Sequence, residues 1–108
     1  MDLPPEDAKL VTLARASRAR TAAAQGAAVR DQDGRTYAAA TVTLPTLQIA
    51  ALDLAVAMAV SSGARGLEAG AVVGGEAPAL TSVRDLGGAG VHVVMADESG
   101  APIEVLST

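Results

Sequence analysis

The 108-residue sequence has no cysteine, no tryptophan and no phenylalanine, and it contains a single tyrosine and a single histidine. The missing cysteines remove disulfides, thiolate nucleophiles and thiolate metal sites together. The missing aromatics bear on packing, because aromatic side chains bury the most area per residue. Half the residues are hydrophobic, mostly Ala, Val and Leu, so the core must rely on close backbone approach and many small contacts. A domain of this size buries roughly two-thirds of its unfolded surface even with ordinary packing, and part of its stability is therefore expected from a subunit interface. Cations are scarce as well: seven Arg and one Lys stand against twelve acids, a net charge of −4. Without a basic run, the counterion release behind nucleic-acid binding has little to act on, and no nucleic-acid partner is expected. The longest apolar run, Leu44 to Val60, contains Pro45, Gln48 and Asp53 and falls short of a bilayer span. The opening MDLPPEDAKL lacks the charged-then-apolar pattern of a secretory signal. The expectation is one soluble, cytoplasmic domain over residues 1–108, with no membrane partner.

Pro4-Pro5 followed by Glu6 and Asp7 suits a helix start, and Leu10, Leu13 and Ala14 at helical spacing carry that helix to about Ala23, before Gly26 breaks it. Gly26 to Val29 and Thr36 to Val42 read as strands joined by Asp31-Gln32-Asp33-Gly34, whose Asp-Gly pair is a strong hairpin signal. Two alternate Asp beside a Gly resemble part of a calcium loop, but the closing Glu of such a loop would fall at Val42, so the segment is a turn. A second helix is predicted from about Leu47 to Ser62, with Thr46 as N-cap and Gly63 as the stop. From Ile49 to Val60 only Asp53 is polar, the pattern of a helix buried on most sides. A strand over Leu67 to Gly74, a short helix over Pro78 to Leu86, and strands over Val91 to Ala96 and Ile103 to Leu106 complete the order α-β-β-α-β-α-β-β. That order predicts an α/β fold in three layers, α/β/α, around a mixed sheet of about five strands.

These words, in this order, resemble the small homotetrameric type of cytidine deaminase. LVTLARASRARTAA resembles its first helix, GAAVRDQDGRTYAAATV its hairpin, AALDLAVAMAVSSG its central helix and LEAGAVVGG the strand that follows. The resemblance covers nearly the whole chain. It implies a zinc ion, held by three Cys or by His and two Cys, that turns water into a hydroxide nucleophile, with a non-ligand glutamate moving protons. The family writes the first ligand and the glutamate as Cys-Ala-Glu or His-Ala-Glu. Counting back from Gly63 places that tripeptide on Ala50-Ala51-Leu52, where a methyl and an isobutyl group can neither bind zinc nor carry a proton. The second family word, Pro-Cys-x-x-Cys, anchored on Pro78, puts its cysteines at Ala79 and Ser82. In any register, a chain with no Cys and one His cannot supply the ligands. The Asn-x-Glu that grips the nucleoside ribose aligns with Thr41-Val42-Thr43, and the Phe-Pro-Val of the base pocket is replaced by Ala23-Ala24-Gln25.

Other chemistry finds no better support. Ser61, Ser62, Thr81 and Ser82 offer hydroxyls, but a nucleophile needs a base within reach, and His92 lies in VHVVMA with no partner near it in sequence. It is expected to be a partly exposed strand residue. Gly70, Gly74 and Gly75 do not form a dinucleotide fingerprint. Asp53 either reaches solvent, with at most a surface pair, or meets an Arg of its own or a neighbouring subunit; acids are seldom fully buried, which favours solvent. The sequence is therefore expected to encode a catalytically inactive homologue with no zinc or other cofactor. Its expected role is that of a homo-oligomeric structural or interaction module, dimeric or tetrameric, able to hold an unknown protein partner. The rival expectation is a non-catalytic nucleoside- or small-ligand-binding module using a residual pocket near Thr41, Thr43 and Ser82. An active enzyme with changed chemistry is the least supported.

Overall fold

A computed structural model describes residues 1–108. Helix α1 (Pro5–Thr21) leads into strands β1 (Gly26–Asp31) and β2 (Thr36–Ala40), and a ribbon of β3 (Val42–Thr43) and β4 (Gln48–Ile49) follows. Then come α2 (Ala51–Ser61), β5 (Leu67–Val73), α3 (Thr81–Gly87), β6 (His92–Ala96) and β7 (Pro102–Ser107). The main sheet has the order β2-β1-β5-β6-β7, with β5 and β6 parallel and the other neighbours antiparallel. The parallel pair is the one joined through a helix, as a crossover requires.

Strand alternation sorts the core into two layers. On one face Ala28, Ala69, Ala71, Val73 and Val94 meet Leu10, Val11 and Ala14 of α1. On the other, Ala27, Val29, Val72 and Val93 meet Ala51, Leu52, Ala55, Val56 and Ala59 of α2 and Val83 of α3. The fold is thus the three-layer α/β/α arrangement with a mixed five-stranded sheet. The small side chains do what their composition implies. Ala51, Ala55 and Ala59 recur every fourth residue on the buried stripe of α2, and they let that helix lie close on the sheet. On the opposite face, a Cβ placed on Gly26 would stand 2.0 Å from the Ala14 carbonyl oxygen. Gly26 is therefore the first residue of β1 and a close-approach point for α1. It is not the helix stop, which is Ala22 in the left-handed region at φ 52°.

Three boundaries differ from the sequence expectation, the first two for a shared reason. The second helix begins at Ala51 with Ala50 as its N-cap, not at Leu47 behind Thr46. Leu44 to Leu47 forms a tight turn, with Leu44 N bonded to Leu47 O at 2.8 Å, so that Val42 pairs with Ile49 and Thr43 with Gln48. The apolar run that reads as helix thus spends its first residues as a ribbon, which also ends the second strand at Ala40. The third helix likewise starts at Thr81 and not at Pro78. Nor is α2 buried all round: Met58 is 37 % and Val60 52 % exposed, because the sheet and α3 cover only part of it.

Candidate functional site

The first turn of α2 and the start of α3 stand against each other on one face of the sheet, and the positions singled out by the resemblance gather around them. Ala50 is the exposed N-cap of α2, in extended backbone conformation and with no side-chain cap. Leu52, the second residue of the helix, is 1 % exposed and packs into the core layer that also holds Val72 and Val83. Ala79 lies exposed in the segment before α3, and Ser82 is half-buried in the first turn of α3. Across this junction Ser82 Oγ donates to Asp53 Oδ1 at 2.6 Å. The one charged residue of α2 is thus satisfied by a hydroxyl from the facing helix, not by an arginine.

Thr41, Gln25 and the loop after β5 form the neighbouring corner. Gln25 N donates to Thr41 Oγ at 3.0 Å, and the Thr41 hydroxyl donates in return to Gln25 O at 3.2 Å. The Gln25 side chain reaches the carbonyls of Gly74, at 2.9 Å, and Glu76, at 2.6 Å. Thr43 is exposed on β3. The polar groups of this corner are largely spent on one another. Four cavities open on the surface, and none is lined by Thr41, Thr43, Ala50, Leu52 or Ala79. The largest, of about 490 Å³, lies between α1 and the β6–β7 turn, beside Leu3, Val11, Arg15 and Gly100. A groove of about 320 Å³ between α2 and α3 does include Ser82, along with Asp53, Val56, Val60 and Asp85.

The donor set does not fit a zinc ion. At the positions that the sequence resemblance aligns with ligands stand two methyl groups and one hydroxyl, at the one aligned with the proton carrier an isobutyl group, and nowhere do three His, Cys, Asp or Glu side chains converge into a metal-holding group. The lone histidine is placed elsewhere. His92 Nε2 lies 2.8 Å from Asp7 Oδ2, on the α1 face of the sheet. Asp7 Oδ1 accepts from Arg30 at 3.2 Å, and Arg30 Nε donates to Glu68 at 2.9 Å. This network of charged and ionisable groups joins α1 to three strands. It could not be seen in the sequence, where Asp7 and His92 are 85 residues apart.

The cytidine deaminase-like family model matches residues 3–100 of the chain. The chain belongs to that family. Among solved structures, cytidine deaminase from Burkholderia pseudomallei superposes with a TM-score of 0.79 at 26 % identity, over 92 % of this chain and 90 % of the other. Cytidine deaminase from Mycobacterium leprae superposes with a TM-score of 0.70 at 19 % identity, over the same shares of the two chains, a likeness of fold. Comparison with curated proteins gives no match. Within this cytidine deaminase-like chain, the bonds by which Gln25 ties Thr41 to the loop after β5 are the feature of this corner that the sequence did not foretell. The only signal was the place of Gln25 in the segment that stands where the family writes Phe-Pro-Val.

Proposed function

We propose that this cytidine deaminase-like chain is catalytically inactive, binds no zinc, and acts as a homo-oligomeric structural or interaction module of the cytoplasm, with residues 1–108 as a single unit. The observation that carries the proposal is Leu52. At the position assigned to the proton-shuttling glutamate, a side chain with no proton to give is packed into the core. A hydroxide generated there would have neither a metal to form it nor a base to direct it. Ala50, Ala79 and Ser82 are then vestigial ligand positions, and the hydrogen bond from Ser82 to Asp53 fastens the two helices at that junction. The oligomeric role draws support from the outer face of α2, where Met58 and Val60 are exposed, and from the self-association of the family that the sequence resembles. The nucleoside-binding alternative draws less support, because the Thr41 hydroxyl is engaged by the Gln25 backbone.

Purified protein is expected to contain no stoichiometric zinc by elemental mass spectrometry, to leave cytidine unchanged, and to show no rise in melting temperature with nucleosides. Zinc at one equivalent per chain would sink the proposal, and a dose-dependent thermal shift with one nucleoside would favour the binding module, as linkage requires. The ligand assignment has a test of its own. The triple variant Ala50→Cys, Ala79→Cys, Ser82→Cys is expected to gain tight zinc binding, read by competition with a chromogenic chelator. Failure of the folded variant to bind would show that these are not the three positions.

A further inference from the structure

The largest cavity, of about 490 Å³ between α1 and the β6–β7 turn, has no part in the function proposed above. It lies on the α1 side of the sheet, whereas α2 and α3, with the vestigial ligand positions, lie on the other. Its volume falls within the range of small-molecule sites, which are mostly apolar and carry a few placed polar groups. Leu3, Val11 and Pro102 supply apolar lining here, and Val11 is buried.

The wall facing α1 is held by its own bonds. Asp97 Oδ1 accepts from Ser99 N at 2.9 Å, from Ala101 N at 3.0 Å and from Ser99 Oγ at 2.6 Å, and Glu98 pairs with Arg18 of α1 at 2.9 Å. A Cβ on Gly100 would stand 3.4 Å from Arg15 Cδ and 3.7 Å from Val11 Cγ1, so the arginine stem lies directly against the turn. The cavity is thus formed by contacts that need no ligand, which spares the ordering cost of binding. Its polar groups then divide by sign. The ion pairs of the chain use Arg18, Arg30 and His92, and none uses Arg15 or Asp2. A cation and an anion therefore line one partly apolar cavity without meeting. Thr12 Oγ1 donates to Ala8 O at 3.2 Å, and Ser99 Oγ donates to Asp97. With both hydroxyl hydrogens engaged, their oxygens remain as acceptors. Among the lining side chains Arg15 is the one free donor, and Asp2, Thr12 and Ser99 are the acceptors.

We propose that this cavity binds a free α-amino acid with an apolar side chain. Its carboxylate meets Arg15, its ammonium meets Asp2 and the two hydroxyl oxygens, and its side chain lies against Leu3, Val11 and Pro102. The charge inventory selects the zwitterion over simpler ligands. A carboxylate offers acceptors only and matches the guanidinium fork, while an ammonium offers three donors and no acceptor. A purely anionic ligand would bring its charge towards Asp2, and a purely cationic one towards Arg15. The zwitterion satisfies both, and the apolar lining accounts for the rest of the molecule. The site depends neither on the loss of zinc nor on self-association through α2, so it stands or falls separately from the function proposed above.

Isothermal titration of the full-length protein with L-leucine, L-methionine and L-phenylalanine is expected to show saturable one-site binding of at least one of them, with a matching rise in melting temperature. No saturable binding of any of the three at millimolar concentration would overturn the proposal. For the tightest binder, blocking the ammonium by N-acetylation or the carboxylate as its amide is expected to weaken binding about tenfold or more in each case, the loss of a charge-assisted contact. Asp2 and Arg15 are exposed and unpaired, so substitutions there are expected to leave the fold intact. Arg15→Gln is expected to weaken the free amino acid comparably and to leave its amide unchanged. Asp2→Asn is expected to weaken the free amino acid and to leave the N-acetyl form unchanged, the pattern of two independent pairings. A blocked derivative that binds as tightly as the free amino acid, or binding that both variants leave unchanged, would count equally against the site.

Discussion

At the scale of single residues, the clearest electrostatic device is the pair Asp31 and Tyr37. Asp31 Oδ1 accepts from the backbone of Asp33 at 2.9 Å and of Arg35 at 3.0 Å, and Asp31 Oδ2 accepts from the Tyr37 hydroxyl at 2.8 Å. Burial is the largest single influence on this carboxyl and pushes it up. The Tyr37 hydrogen bond, the two backbone hydrogen bonds and the charge of Arg35 together outweigh burial and hold it below the usual carboxylate range. The same hydrogen bond, reinforced by burial, raises the Tyr37 phenol above its usual range. The two signs bracket a pH window. A depressed carboxyl contributes stability that is present above the ordinary carboxylate range and is lost as pH falls through its folded-state value. A raised phenol contributes stability that is complete below the ordinary phenol range and is lost as pH rises through its own folded-state value. Tyr37→Phe is therefore expected to move the onset of acid unfolding to higher pH and to remove the alkaline loss. Since Tyr37 is the only tyrosine, its ionisation in the parent protein can be followed by phenolate absorbance alone. A midpoint at or below that of free tyrosine would contradict the hydrogen bond. The turn itself was legible in Asp31-Gln32-Asp33-Gly34. The Tyr37 bond was not, because turn chemistry specifies backbone partners and leaves the side chains across the hairpin open.

Between elements, the docking of α1 rests on two features of different kinds, one steric and one ionic. Gly26 lets the helix approach β1 so closely that a methyl group would collide with the Ala14 carbonyl and stand 2.9 Å from Arg18 Cβ. Gly26→Ala is expected to cost about 1–3 kcal/mol, the range for an overpacked contact, seen as a lower urea midpoint at unchanged slope. The network of Glu68, Arg30, Asp7 and His92 fixes the N-terminal end of the same helix. Removing Asp7 leaves the largely buried Arg30 guanidinium with Glu68 and the Glu6 carbonyl as its remaining partners. Asp7→Ala is expected to destabilise by roughly 1.5–3 kcal/mol, and Arg30→Met added to it is expected to cost less than the sum of the two single changes, since neighbours in one network are not additive. Full additivity in denaturant titrations would mean that the ion pair is not coupled. Element order and fold class were legible because hydrophobic period and turn residues are local. The start of α2 was misplaced because Leu44 to Ile49 is as apolar as the helix that follows, and only pairing with Val42 and Thr43 distinguishes ribbon from helix. His92 escaped for the opposite reason: its partner is distant in sequence and adjacent only after the sheet has formed.

For the whole molecule, the question is what covers the apolar surface that folding leaves outside. The accessible surface is 5659 Å², against roughly 5,500 Å² for a monomer of this mass, so the exposed side chains do not reflect a loose chain. They sit in places: Leu44 and Leu47 at the tip of the β3–β4 ribbon, Met58 and Val60 on the outer face of α2, and Ile103 and Val105 on β7. Monomers expose scattered apolar residues freely, whereas grouped ones mark contacts. A stable interface takes about 800 Å² from each partner, about a seventh of this surface. The double variant Met58→Lys, Val60→Lys tests the α2 face. Both positions are solvent-facing in the isolated chain and near the C-terminal end of the helix, where cations are favoured by its dipole. The variant is therefore expected to keep its helix content and its monomer fold while losing self-association. Light scattering behind size exclusion at micromolar concentration is expected to show an oligomer for the parent protein and a smaller species for the variant. A parent protein that runs as a monomer would remove the oligomeric role of α2 outright. A variant that keeps the parental mass would place the contact on another face.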